Sequence, residues 1–274
     1  MSDSSILAPL RPPVEGRRAS ATAFFALLQR DTWVVARHEF AALVAQSLLQ
    51  PMFFLFVFGR VLPSIGAAGG NYGAQLLPGV VGLTLVLTAL QNTALPLVIE
   101  FSFTREIDDR LLAPLPAWLV GVQKMVFAAL RGIVAAVLVI PLAAVILPGG
   151  IDLGQFEPIG FILLLVFGGL AGASVGLVLG TAVPAHRINV IFAIVITPLT
   201  FTGATFYPWA GLGKLQWFQD VTLLNPLTYV SEGMRGSLAG IPHLATHWVI
   251  LGIVVSTIVF AGAGVRGFIG RAVD

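Results

Sequence analysis

Few side chains in this sequence could do chemistry, and they fall in four places. The densest is a charged run: Glu100, then Arg105, Glu106, Asp108, Asp109 and Arg110, inside EFSFTREIDDRLLAPLPAWLVGVQKM. The second is a row of uncharged polar residues, Thr84, Thr88, Gln91 and Asn92, whose i, i+4, i+7, i+8 spacing puts them on one helical face. Gln46, Ser47 and Gln50 make a shorter row upstream, and Thr197, Thr200 and Thr205 another downstream. The third place is Glu232 and Arg235 in NPLTYVSEGMRG, which meet on one face if that stretch is helical. The fourth is His243 and His247, four apart as in some metal sites. No carboxylate stands at a matching position and Trp248 adjoins them, so they read as polar anchors at a membrane surface.

These residues do not assemble into a catalytic set. The chain has no cysteine, no HExxH and no GxxxxGK[ST] loop for cradling phosphates. A lipid-modifying transferase would need clustered acids, bases or metal ligands at the interface. An ion-coupled secondary transporter would need a carboxylate near the bilayer midplane or interrupted helices in paired positions. Neither pattern is visible, so the energy for any transport is expected from outside the chain. The polar rows have two readings, a substrate path or hydrogen bonding between helices, and sequence leaves both open.

The elements that would position these residues are membrane helices. Of the 274 residues 57% are hydrophobic and only 10% charged, against about 25% charged in soluble domains. A soluble fold of this size could not hide so much apolar surface. The expected architecture is all-α and integral to the membrane, with six spans over about Phe40–Leu62, Leu77–Ile99, Val122–Leu147, Pro158–Val183, Asn189–Phe206 and Thr246–Val265. Residues 1–21, rich in Pro, Ser and Arg, read as a flexible cytoplasmic tail, and 22–274 as one transmembrane domain. Thr22–Glu39 is amphipathic and suits a helix lying in the interface, or equally one packed on the protein.

Between the fifth and sixth spans, Gly and Pro break an apolar stretch too often for it to cross. Short re-entrant helices are expected there, with Trp209, Trp217 and Tyr229 at headgroup depth. Gly168, Gly172, Gly176 and Gly180 form a small-residue ladder for close helix packing. Twelve basic residues fall on the side of the N-terminus and three (Arg60, Lys214, Arg235) on the other, so the positive-inside rule places both termini in the cytoplasm. No basic segment interleaved with aromatics suggests nucleic acid.

The charged run is unusual in so charge-poor a chain. It is followed by Leu111, Leu112, Pro114, Leu115 and Pro116, which favours a short rigid docking element over a floppy loop. Here the sequence resembles the permease subunit of type-2 ABC exporters, in which a charged helix between the second and third spans ends in an L-x-x-x-P-like turn. The matching run is Arg105-Glu106-Ile107-Asp108-Asp109-Arg110-Leu111-Leu112-Ala113-Pro114. A second match is Pro226-Leu227-Thr228-Tyr229, then five residues and Arg235. The resemblance runs from about residue 22 onward and is nearest to the daunorubicin-resistance and nodulation-export branches.

That resemblance implies a separate cytoplasmic ABC ATPase, which would hold the ATP and magnesium, with no cofactor on this chain. Its docking surface would be Glu100, Thr104, Arg105, Glu106, Asp108, Asp109, Arg110 and Leu111. It also implies a second permease copy, identical or not, and export of a drug-like or lipid-like substrate across the cytoplasmic membrane. A lipid-linked glycan is the alternative cargo, and an ion-coupled transporter the alternative machine. Candidate path residues are Gln50, Thr84, Thr88, Gln91 and Asn92. Asn225, Pro226, Tyr229, Glu232 and Arg235 are the candidates for a clamp closing a re-entrant element over the outer mouth.

Overall fold

A computed structural model describes residues 17–69, 72–104, 115–148 and 154–273. The described residues are mostly helical, with no strand, and six helices are long and apolar enough to cross a membrane. The helices are α1 (Arg17–Val34), α2 (Phe40–Phe56), α3 (Tyr72–Ile99), α4 (Ala117–Ile146), α5 (Pro158–Ala182), α6 (Ile188–Thr202), α7 (Gln216–Thr222), α8 (Pro226–Met234) and α9 (Thr246–Val273). The spans are α1–α2 as one continuous rod, α3, α4, α5, α6 and α9.

Helix α3 is the axis of the bundle and lies almost wholly inside it, packed by α4, α5, α8 and α2. Its glycines let neighbours approach to backbone contact. The ladder on α5 faces it: a Cβ on Gly172 would stand 2.5 Å from the Val86 carbonyl oxygen, and one on Gly176 2.4 Å from that of Leu90. Close packing of this kind replaces the hydrophobic drive that lipid removes. The outer faces of α2, α4, α5, α6 and α9 carry exposed Phe, Leu, Ile and Val, as lipid-facing surfaces must.

The sequence-derived boundaries need correction at five of the six spans. The Thr22–Glu39 stretch, expected either in the interface or packed on the protein, is helical and does not end before the first span. α1 passes into α2 through a π-helical turn, Val35–Glu39, because no Pro or Gly interrupts it. Its inner side packs on the protein, where Phe24 and Leu27 join a cluster around Phe268 and Gln123 Nε2 donates to Asp31 Oδ2 at 3.1 Å. The second and third spans start five residues early, at Tyr72 and Ala117.

The fifth span stops at Thr202, not Phe206. Gly203 follows, Ala204 takes φ +50°, and Asn225 Nδ2 donates to the Leu199 carbonyl and to Thr202 Oγ1, capping the end. The sixth span runs eight residues further than expected, to Val273. The helices expected between the last two spans are present, as a 3₁₀ turn at Trp209–Lys214, α7 and α8. Trp217 is exposed, whereas Trp209 and Tyr229 turn inward and donate to the Gln219 and Leu223 carbonyls.

Candidate functional site: a polar crevice between two paired ends

The two upstream polar rows come together. Gln46, Ser47, Gln50 and Pro51 of α2 and Thr84, Thr88, Gln91 and Asn92 of α3 line one small crevice of about 40 Å³, with Leu83 and Leu87. Thr84 and Asn92 spend donors locally, on the carbonyls of Val80 and Thr88, each at 2.8 Å. Gln46 and Gln50 are exposed at its rim and Gln91 is half-buried. Pro51 sits inside α2 and Pro96 inside α3. Each removes a helical N–H, so the carbonyls of Ser47 and Asn92 lose their donors beside the same crevice. The lining is therefore rich in neutral acceptors and amides and has no formal charge. At about 40 Å³ the crevice has room for a few waters.

At one end of α3 the helix widens into a π-helical turn, Glu100–Thr104. Glu100 is buried and forms an ion pair with Lys124 of α4. Lys124 is one of the twelve basic residues on the side of the N-terminus; its position in the apolar run AWLVGVQKMVFAAL is the signal that it needs a buried partner. Phe101 lies under the Arg271 guanidinium at 4.9 Å and against Phe268 at 5.5 Å. Arg271 also donates to Ser102 Oγ at 3.2 Å and to the carbonyls of Gly180, Thr181 and Val183 at 3.3 Å, joining the ends of α3, α5 and α9. Of the charged segment itself, Arg105, Glu106, Asp108, Asp109, Arg110 and Leu111 lie outside the described residues, as does the side chain of Thr104.

At the other end Glu232 and Arg235 meet as their spacing allows. Arg235 donates to Glu232 Oε1 at 2.7 Å, and both side chains are fully buried. Glu232 also accepts from the backbone N–H of Trp209 at 2.9 Å and of Leu244 at 2.8 Å, and Arg235 donates to the Thr205 carbonyl at 3.1 Å. Burial draws the Arg235 pKa below the usual arginine value, and the Glu232 charge pushes back. Pro226 starts α8 and Asn225 caps it, its side chain accepting from Leu227 N. Tyr229 rests its ring over Gly252 of α9, where an added Cβ would sit 2.4 Å from it. Asn225, Pro226, Tyr229, Glu232 and Arg235 all lie in α8 or at its two ends.

The structure also disposes of one enzyme motif. Gly172-Ala173-Ser174-Val175-Gly176 has the GxSxG spacing of a hydrolase nucleophile elbow. That elbow needs a sharp turn with an exposed hydroxyl. Here the run is mid-helix in α5, and Ser174 is fully buried, donating to the Ala171 carbonyl. No group of three or more potential metal ligands occurs among the described residues.

Comparison with known proteins gives the family. Residues 22–239 match the ABC-2 type transporter family. The chain is 26% identical over 236 residues to the inner membrane transport permease YadH of Escherichia coli K12, covering 83% of this chain and 90% of that protein. It is 28% identical over 235 residues to ycf38 of Cyanophora paradoxa, a protein named as a candidate transport permease, covering 80% and 77%. The multi-span helical bundle and the extent of the family match lead to one conclusion: this chain belongs to the ABC-2 type transporter family and is a transport permease of an ABC transporter.

Proposed function

We propose that the chain is the membrane subunit of an ATP-driven exporter that moves a hydrophobic or amphipathic, drug- or lipid-like molecule out across the cytoplasmic membrane. The observation that carries this reading is the uncharged polar crevice between α2 and α3 in an otherwise apolar bundle. A separate ATPase binds the segment from Thr104 to Leu111, holds ATP and magnesium, and drives two permease subunits against each other; Glu100, expected among the docking residues, is instead buried against Lys124 and lies off that surface. Both termini are cytoplasmic, as the basic residues favour. α3 links the parts: its polar face lines the path and its last turn leads into the docking segment. The Glu232–Arg235 clamp keeps α8 seated at the outer mouth.

The path assignment has a direct test. Thr88→Val with Gln91→Leu removes the hydroxyl and amide while keeping similar volume. Relative export rates of substrates differing in polarity are expected to shift several-fold, as ~1 kcal/mol per lost hydrogen bond implies. Thermal stability should hold. A drop in stability with an unchanged substrate profile would identify the face as packing between helices.

A further inference from the structure

A second and larger cavity lies on the opposite flank of the bundle. It is a groove of about 430 Å³ between α5, α8 and α9, at the end where α5 and α9 begin. That size falls within the roughly 300–1,000 Å³ typical of ligand sites. Its walls are apolar, with Leu163, Phe167, Ile250 and Val254 among them. These side chains belong to membrane-spanning helices and are exposed on the bundle's outer face, so the groove opens to lipid. From Ile159 to Phe167 it follows α5 for about 12 Å at ~1.5 Å per residue. That is close to the hydrocarbon depth of one leaflet, about half of ~30 Å.

The mouth of the groove is polar, and its polarity has a sign. Glu157 and His243 both line it and both are exposed. The Glu157 carboxylate folds over the first turn of α5, where a Cβ on Gly160 would stand 3.2 Å from Oε2. No ion pair engages it among the described residues. The ring of His243 is fixed by Nδ1, 3.0 Å from the Ile241 carbonyl, which can only accept. Nδ1 therefore carries the proton, and in the neutral ring Nε2 is left as an acceptor. Ser237, also at the groove, gives its hydroxyl to the Gly233 carbonyl. The groups at the mouth are thus a carboxylate, an imidazole that can accept at Nε2 in its neutral form, and the Thr246 hydroxyl, with the carboxylate the anion among them.

We propose that this groove is a binding site for one phospholipid with a primary ammonium headgroup, an ethanolamine lipid of the leaflet on the side away from the Glu100–Lys124 pair. One acyl chain lies along α5 and α9, and the ammonium donates to Glu157 and His243. A choline headgroup has the charge but no N–H to give, and a glycerol headgroup has hydroxyl donors but leaves the lipid anionic. The site is separate from the α2–α3 crevice and does not depend on what the crevice carries.

The test is native mass spectrometry of the purified full-length chain, titrated with ethanolamine, choline and glycerol phospholipids of identical acyl chains. The wild type is expected to retain the ethanolamine lipid over the choline lipid by roughly fivefold or more, from one charge-assisted hydrogen bond gained. Glu157→Gln should bring that ratio near one while total lipid bound is kept. His243→Phe should lower the ratio with the ring's packing preserved. Leu163→Trp, which fills the groove, should displace the retained lipid of any headgroup. A wild-type ratio near one, or a ratio unmoved by both Glu157→Gln and His243→Phe, overturns the proposal and leaves ordinary annular lipid.

Discussion

Replacing Glu232 with alanine is expected to destabilise the protein by about 3–5 kcal/mol, the range for breaking a buried ion pair on one side. The substitution strands Arg235, 1% exposed, with one carbonyl partner at Thr205. It also strips the Trp209 and Leu244 N–H groups of their acceptor. Arg235→Ala should cost less, because Glu232 keeps those two donors. Glu232→Gln should fall between Glu232→Ala and wild type, since one amide oxygen can serve only part of the network. Lys214→Ala, at an exposed position, is the control and should change little. Thermal unfolding of the purified variants in detergent reads the order. Equal and mild losses for Arg235→Ala and Lys214→Ala would show that no clamp exists.

The second large effect concerns the α3–α5 contact. Gly176→Ala would bring a methyl within 2.4 Å of the Leu90 carbonyl and 2.8 Å of Thr93 Cβ, and Gly172→Ala within 2.5 Å of the Val86 carbonyl. Most of these neighbours are backbone and cannot rotate away, so the helices must part. The expected loss is ~1–3 kcal/mol for each alanine, and larger for leucine. Gly262→Ala on α9 meets nothing within 4 Å and should be neutral or slightly stabilising, because alanine favours helix. Thermal stability of the three variants tests this ranking. A tolerated Gly176→Leu would mean that α5 does not touch α3.

Much of this was legible because membrane helices announce themselves by length and hydropathy. The six spans, the packing ladder and the Glu232–Arg235 pair all follow from local spacing. What sequence could not supply was the partner across space. The α2 and α3 polar rows each read equally as path or as interhelical glue, and only the fold sets them on one crevice. Glu100 and Lys124 lie 24 residues apart, on different helices, and nothing in either run pointed to the other. The early end of α6 depends on Asn225, a long-range cap that no window around Thr202 contains. The groove holding Glu157 and His243 is built from three helices whose facing sides are individually unremarkable apolar surface.

The central claim is that this permease is driven by a separate ATPase seated on the charged segment after α3. The most direct measurement is ATP turnover by the assembled complex in lipid vesicles, comparing wild type with a variant carrying Glu106→Ala, Asp108→Ala and Asp109→Ala. Membrane insertion and co-purification of the ATPase are measured on the same samples. Each lost charge-assisted bond weakens docking by about 1.5–3 kcal/mol, so permease-stimulated turnover should fall at least roughly tenfold. Insertion should be unchanged and the ATPase should be lost on purification. Normal turnover and normal co-purification in the triple variant would contradict the account.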